Sequence, residues 1–217
     1  MTQGKSEPNT VTVCSMICAC EKAGRWEMAL IWCSIMAKSK IDSTTVSFSS
    51  AISVCEKDNQ WERALHLFGM LEQRKGELDR VAFGSAISAC GKGSKWEKAI
   101  QLSGAMMQRR IKLDTIALNS AIHACEKGGE WEKALNMFDF MVRNDVELDA
   151  SSFSSMISAS GESRDWAKVL QLFSLMMQKR LKWNTITSTA AIRACERSGK
   201  WKQTLQLFWL TRQCAVE

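Results

Sequence analysis

Six tryptophans, Trp26, Trp61, Trp96, Trp131, Trp166 and Trp201, stand 35 residues apart without slippage. A fixed period through a whole chain leaves few options: each period is one supersecondary unit, and the units must stack to bury their apolar faces. The period also disposes of the cysteines. Cys20, Cys55, Cys90, Cys125 and Cys195 fall on the same lattice, with Ser160 in the remaining slot, so they read as small buried core residues of a reducing compartment rather than a disulfide framework. Cys14, Cys18 and Cys20 form a C-x3-C-x-C cluster with no histidine near it. Structural zinc wants four ligands in fixed pairs, so neither a metal nor any other cofactor is expected.

The unit itself is a helical hairpin. In the period Thr45 to Asp79, numbered 1 to 35, Phe48, Ala51, Ile52 and Cys55 recur at the i, i+3, i+4, i+7 spacing of one helix face. This predicts a first helix, A. Lys57-Asp58-Asn59-Gln60 follows, as do Lys22-Ala23-Gly24-Arg25 and Lys127-Gly128-Gly129-Glu130 elsewhere. Gly or Asn at the third place suits the left-handed residue that ends a helix. A second helix, B, then starts at the tryptophan, with Trp61, Ala64, Leu65 and Phe68 on one stripe and Glu62 in its first turn, where a negative charge meets the positive end of the macrodipole. Leu78, Asp79 and Phe83 predict an N-cap with a hydrophobic staple at the next helix A, repeated as Leu113, Asp114, Leu118 and as Leu148, Asp149, Phe153. The only proline is Pro8, which leaves helix unopposed throughout. The expected fold is therefore all-α, an α-solenoid with the A helices lining one surface.

Segments such as Phe48-Ser-Ser-Ala-Ile-Ser-Val-Cys-Glu-Lys57 and Trp131-Glu-Lys-Ala-Leu-Asn-Met-Phe138, at a strict 35-residue period, resemble the pentatricopeptide repeat family. Tetratricopeptide repeats keep a period of about 34 and a different Trp, Gly and Tyr pattern. The resemblance covers about Thr10 to Cys214 and lays out repeats at 10–44, 45–79, 80–114, 115–149, 150–184 and an incomplete 185–217. It implies a right-handed superhelix. The chain departs from the family where a proline usually precedes the last residue of the repeat: Ser43, Leu78, Leu113, Leu148 and Trp183 stand there. The tryptophan opening helix B is a second departure. Residues 1–9 read as a tail or the remnant of a preceding repeat, and the chain as an excerpt of a longer array. MTQGKSEPN is neither a signal peptide nor an Arg-rich presequence, while the family resemblance implies a mitochondrion or plastid.

On a helical wheel, positions 2, 5, 6, 9 and 13 of helix A gather opposite its apolar face. In the specimen these are Val46, Ser49, Ser50, Ser53 and Lys57. A plain solvated face would carry long charged side chains, so this one invites close approach. Val11, Val46, Val81, Ile116 and Ile186 repeat at position 2, and Lys22, Lys57, Lys92, Lys127 and Arg197 at position 13. Repeat five breaks both rules with Ser151 and Glu162, and weak binding is expected of it. Apolar groups that could hold a flat base, small polar groups at its edge and cations for phosphate make a strip suited to single-stranded RNA. The net charge of +6 permits a polyanionic partner without demanding one.

The resemblance implies one base per repeat, read by position 5 with the last residue, while position 2 sandwiches bases. The pairs are Cys14 with Thr44, Ser49 with Asp79, Gly84 with Asp114, Asn119 with Asp149, and Ser154 with Asn184; Thr189 meets the end of the chain first. The family code then implies 5′-G-(G/U)-U-A-3′ from Ser49 to Asn184. N-capping alone would also select the Asp and Asn residues. The tryptophans, on the helix behind, are expected in the core between adjacent hairpins rather than stacked on bases.

His66 and His123 lie on separate repeats and offer neither a catalytic pair nor metal-ligand spacing. Arg74-Lys75, Arg109-Arg110 and Lys179-Arg180 read as a solvated rim. No phosphate-cradling loop, nucleophile elbow or zinc-protease helix occurs, so no enzyme is expected, and no apolar run is long enough to span a membrane. Two functions remain. One is a monomeric, sequence-selective binder of single-stranded RNA, acting in RNA processing, stability, editing or translation, with RNA-processing proteins as further partners. The other is an α-solenoid scaffold for protein partners.

Overall fold

The structure is a computed structural model that describes residues 10–38, 45–73, 78–112, 115–144, 146–162, 166–179, 181, 185–197, 199 and 202. Eleven helices span these residues. The A helices are α1 (Thr10–Ala23), α3 (Thr45–Lys57), α5 (Arg80–Lys92), α7 (Thr115–Lys127), α9 (Ala150–Glu162) and α11 (Thr185–Arg197). The B helices are α2 (Trp26–Lys38), α4 (Trp61–Gln73), α6 (Trp96–Gln108), α8 (Trp131–Arg143) and α10 (Trp166–Gln178). No strand interrupts them among the described residues. Each B helix starts at its tryptophan, and each A helix packs on the A helices before and after it. Each B helix lies against its own A helix and the next one, while no B helix contacts another among the described residues. This is an α-solenoid with a continuous row of A helices.

The ends of the helices follow from local chemistry. Asp79 sits in extended backbone before α5 and its side chain accepts from the Ala82 N–H at 2.8 Å. Leu78 and Phe83 are buried on either side of that cap, as are Leu148 and Phe153 around Asp149. The staple therefore forms as expected in these two repeats; Leu113 and Asp114 lie outside the described residues. Leucine here does the work of closing the core at the place where the family usually has proline. At the far end of helix A, Gly24, Asn59, Ser94, Gly129 and Gly199 take positive φ. Behind four of them the next residue's N–H reaches back five places to Cys20, Cys55, Cys90 or Cys125, at 2.8 to 3.0 Å. This is the 6→1 closure of a Schellman turn.

Ser94 is the one member of this set with neither Gly nor Asn, at φ 54. A β-carbon in the left-handed region crowds the following carbonyl, so Ser94→Gly should raise the unfolding free energy by about 0.5–1 kcal/mol. An upward shift of the thermal midpoint checks this; an unchanged or lower midpoint contradicts it.

The core runs along the A–B seams. The lattice thiols Cys55, Cys90, Cys125 and Cys195 are fully buried, while Cys20, at the first hairpin, is half-buried. Burial pushes the thiols of Cys55, Cys90 and Cys125 up to about 11, 12 and 11, with the Cys195 thiol raised for the same reason. They are protonated at neutral pH, poor nucleophiles and poor metal ligands. Between repeats, Phe68 meets Phe83 and Phe138 meets Phe153 edge to face, at 5.0 and 5.3 Å between centroids.

The rings of Trp26, Trp61, Trp96, Trp131 and Trp166 are half-buried and pack against this core. A β-carbon added at Gly93 would fall 2.5 Å from the Trp61 ring, and one at Gly128 would strike Trp96. The rings of Trp61 and Trp96 thus lie under the turn of the next repeat. Cations stand over three of the rings: Arg63 is 4.9 Å from the Trp26 centroid, Lys95 4.6 Å from Trp61 and Lys133 3.6 Å from Trp96. The ladder is a packing device that sets the distance between hairpins.

Candidate nucleic-acid interface

The A-helix surface carries an exposed apolar row. Val11, Val46, Val81 and Ile116 are 69%, 60%, 54% and 72% exposed. Each projects from the first turn of its helix, where no packing role explains it. Ser151 is exposed at the same place in repeat five. The side chain of Ile186 lies outside the described residues.

Position 5 differs from expectation. The wheel put it on an open face, yet Ser49 is only 3% exposed, and Cys14, Gly84, Asn119 and Ser154 are half-buried. The cause is the A-on-A stacking: each helix A is flanked by the next, so position 5 faces the junction between repeats. Thr189, in the last described hairpin, is exposed and bonds back to the Thr185 carbonyl at 2.7 Å.

At two junctions the residues paired by sequence come together. The Ser49 hydroxyl lies 3.0 Å from Asp79 Oδ1. Asn119 Nδ2 donates to Asp149 Oδ1, also at 3.0 Å. The same Oδ1 atoms cap the next helix, accepting from Ala82 N–H and Ser152 N–H at 2.8 Å. Among the described residues, Oδ2 of each carboxylate has no hydrogen-bond partner. One oxygen of each carboxylate thus serves the helix, so capping leaves the acceptor capacity of the other unused. Thr44, Asp114 and Asn184, the partners of Cys14, Gly84 and Ser154, lie outside the described residues.

Charge along the row is arranged by a second junction contact. Glu21 Oε1 accepts from Ser53 Oγ at 3.0 Å and from Lys57 Nζ at 3.2 Å. One repeat on, Glu56 Oε1 accepts from Ser88 Oγ at 2.9 Å and pairs with Lys92 Nζ at 2.7 Å. The next place in this ladder is Gly91. A β-carbon there would sit 2.7 Å from the Ser120 carbonyl oxygen, so the close approach of α5 and α7 excludes a glutamate. Lys127, exposed at the end of α7, consequently has no carboxylate partner among the described residues. Glu126 turns instead to His123 Nδ1 on its own helix, at 3.0 Å. Sequence treated the position-13 cations as equivalent, whereas the structure divides them. Lys57 and Lys92 are held by carboxylates, Lys22 and Lys127 have no such partner among the described residues, and the Arg197 side chain lies outside the described residues.

Other candidate groups are tied up. Cys14 and Cys18 face Ser47 and Ser50 of the next helix rather than one another. Among the described residues no group of three His, Cys, Asp or Glu is placed to hold a metal ion. Arg109 of the rim donates to Glu72 at 2.9 Å.

The PPR repeat model matches residues 11–41, 46–75, 81–111 and 151–181, and the PPR repeat family model matches 113–162. The chain belongs to the pentatricopeptide repeat (PPR) family. No curated protein matches it in sequence. Among solved structures it is similar to the pentatricopeptide repeat protein PPR10 from maize, with a TM-score of 0.75 at 16% identity over 95% of this chain and 30% of that one. PPR10 in complex with an 18-nt psaJ RNA element gives 0.67 at 16%, over 92% and 29%. The PPR domain of Arabidopsis thaliana protein-only RNase P 1 in complex with tRNA gives 0.78 at 14%, over 86% and 98%. The chain spans about a third of the length of PPR10, and at these identities the likeness is one of fold.

Two functional features of this PPR array escaped the sequence reading. One is the carboxylate of Glu21 and Glu56, one place before the cation it will meet only in the following repeat. The other is the third residue of each A helix. The hydroxyls of Ser47, Ser152 and Thr187 reach back to Cys14, Asn119 and Ser154. The available signal was that Ser or Thr recurs at this position, exposed at Thr12 and buried at the other three, where Ala82 and Ala117 carry no hydroxyl.

Proposed function

We propose that this PPR array binds single-stranded RNA along its A helices, with one base at each repeat junction. The observation that carries the reading is the Asn119–Asp149 junction, with Ser49–Asp79 as its counterpart. At the former a spare amide N–H stands beside a spare carboxylate oxygen, with the exposed Ile116 on one side and the hydroxyl-bearing Ser151 on the other. Uracil and guanine each present a carbonyl next to a ring N–H, the complement of that pair. Val46, Val81 and Ile116 supply apolar surfaces against which neighbouring bases stack. The RNA-bound relatives of the same fold support the reading.

The forecast order is 5′-G-(G/U)-U-A-3′: G at Ser49 with Asp79, G or U at Gly84 with Asp114, U at Asn119 with Asp149, A at Ser154 with Asn184. The chain recruits or excludes RNA-processing factors by occupying its site, as a monomer in a mitochondrion or plastid, and performs no chemistry itself.

Salt dependence tests the phosphate side of the proposal. The slope of log affinity against log salt is about −0.7 per phosphate contact for single strands, so Lys127→Ala should flatten it by about 0.7. Lys57→Ala should flatten it less, because Glu21 already neutralises that ammonium. Equal effects of the two substitutions would contradict the assignment of Lys127. If RNA is not bound at low salt while a peptide is captured, the scaffold function replaces this one.

A further inference from the structure

The Asn119–Asp149 pair is not a pair but a triangle. Ser152, fully buried in the first turn of α9, places its Oγ 2.6 Å from Asn119 Oδ1 and 2.9 Å from Asp149 Oδ1. The Asp149 N–H donates to the same Oγ at 3.3 Å. The hydroxyl has one hydrogen to give. Asp149 Oδ1 is already served by the Ser152 N–H and by Asn119 Nδ2. A carboxylate only accepts, so the amide nitrogen of Asn119 must face it, and the amide oxygen must face Ser152. The hydroxyl hydrogen therefore goes to Asn119 Oδ1, the shorter contact; without it two bare oxygens would oppose each other at 2.6 Å.

The consequence lies in what Asn119 has left to offer. One Nδ2 hydrogen remains, while the acceptor side of the amide is engaged from below. We infer that Ser152, a residue of the following repeat, is a specificity-positioning residue that holds Asn119 as a donor, so that the junction reads a base edge with a carbonyl beside a ring N–H and rejects one with an amino group beside a bare ring nitrogen. Uracil presents O4 and a ring N–H to the Asn119 donor and the Asp149 acceptor. Cytosine presents an amino group where O4 stood and a bare ring nitrogen, and Oδ1, held toward the buried Ser152 hydroxyl, is not turned to accept from that amino group. The inference rests on the reading of this junction as a base-reading site. Ser47 and Thr187 stand in the same relation to Cys14 and Ser154, whereas Ala82 and Ala117 leave the junctions of Ser49 and Gly84 without such a hydroxyl.

The experiment measures affinity for four short single-stranded RNAs that differ only in the base opposite Asn119. It compares the unaltered chain with Ser152→Ala, Ser152→Thr and Asn119→Ala. Ser152→Ala should lower the uracil-over-cytosine preference by about three- to tenfold, the worth of one hydrogen bond. It should do so mainly by improving cytosine binding. Ser152→Thr restores the hydroxyl that Thr187 supplies naturally and should keep the preference. If Asn119→Ala erases the preference while Ser152→Ala leaves it intact, the positioning role is overturned and base reading stands. If Asn119→Ala also leaves it intact, base reading at this junction fails and the inference falls with it. Thermal unfolding of each variant separates loss of fold from loss of discrimination, and a general drop in affinity for all four RNAs counts against the role of Ser152.

Discussion

Phe83→Ala should lower the unfolding free energy by about 3–5 kcal/mol, the cost of emptying a large aromatic site in a packed core. Phe83 is 1% exposed, lies edge to face on Phe68 of the preceding repeat, and closes the staple begun by Leu78. In a solenoid each hairpin contacts only its neighbours, so stability is a sum of repeat and interface terms. Phe83 belongs to both. Two residues away on the same helix, Val81 is more than half exposed, and Val81→Ala should change stability by no more than about 0.5 kcal/mol. Its effect should appear in RNA affinity instead. Urea-induced unfolding measures the first and RNA titration the second. Equal stability losses for the two variants would contradict the division of helix A into a core face and a ligand face.

Asn119→Ser should exchange the base preferred at that junction from uracil to guanine, by about tenfold or more in each direction, or roughly 1.4 kcal/mol per tenfold. Both bases present a carbonyl beside a ring N–H, so hydrogen bonding alone does not separate them; size does. Asn119 reaches Asp149 from a longer side chain, while Ser49 reaches Asp79 from a shorter one, at the same 3.0 Å. The shorter side chain leaves room for a purine. Adenine and cytosine should stay poor with either residue, because where uracil and guanine offer Asp149 a ring N–H they present a bare ring nitrogen, and a carboxylate has no hydrogen to give it. An unchanged preference after the exchange would show that position 5 does not select the base.

The fold was legible because its period repeats one local code. The left-handed residue after helix A, the Asp cap and the leucine–phenylalanine staple are each decided within about six residues of chain, and the structure has them at Asn59, Asp79, Leu78 and Phe83. The half-burial of position 5 was not legible, since it depends on how closely one helix A lies to the next. The same is true of Ser152 and of the carboxylates of Glu21 and Glu56. Their partners are more than thirty residues away in sequence, at separations set by the A-on-A register rather than by the helix period. Gly91 illustrates the point. In sequence it is a gap in a row of glutamates; in the structure it marks the close approach that leaves Lys127 without a carboxylate partner among the described residues. The tryptophans were expected in the core between hairpins, and the rings of Trp61 and Trp96 lie against the next repeat's turn and a cation.

The central claim is that successive junctions read successive bases of a single strand. In vitro selection from a random RNA pool tests it most directly. The account predicts enrichment of unpaired G-(G/U)-U-A in that order, one base per repeat, with the uracil replaced by guanine when Asn119→Ser is used as the bait. Recovery of duplex RNA, of unrelated sequences, or of the same sequence with both baits would contradict it.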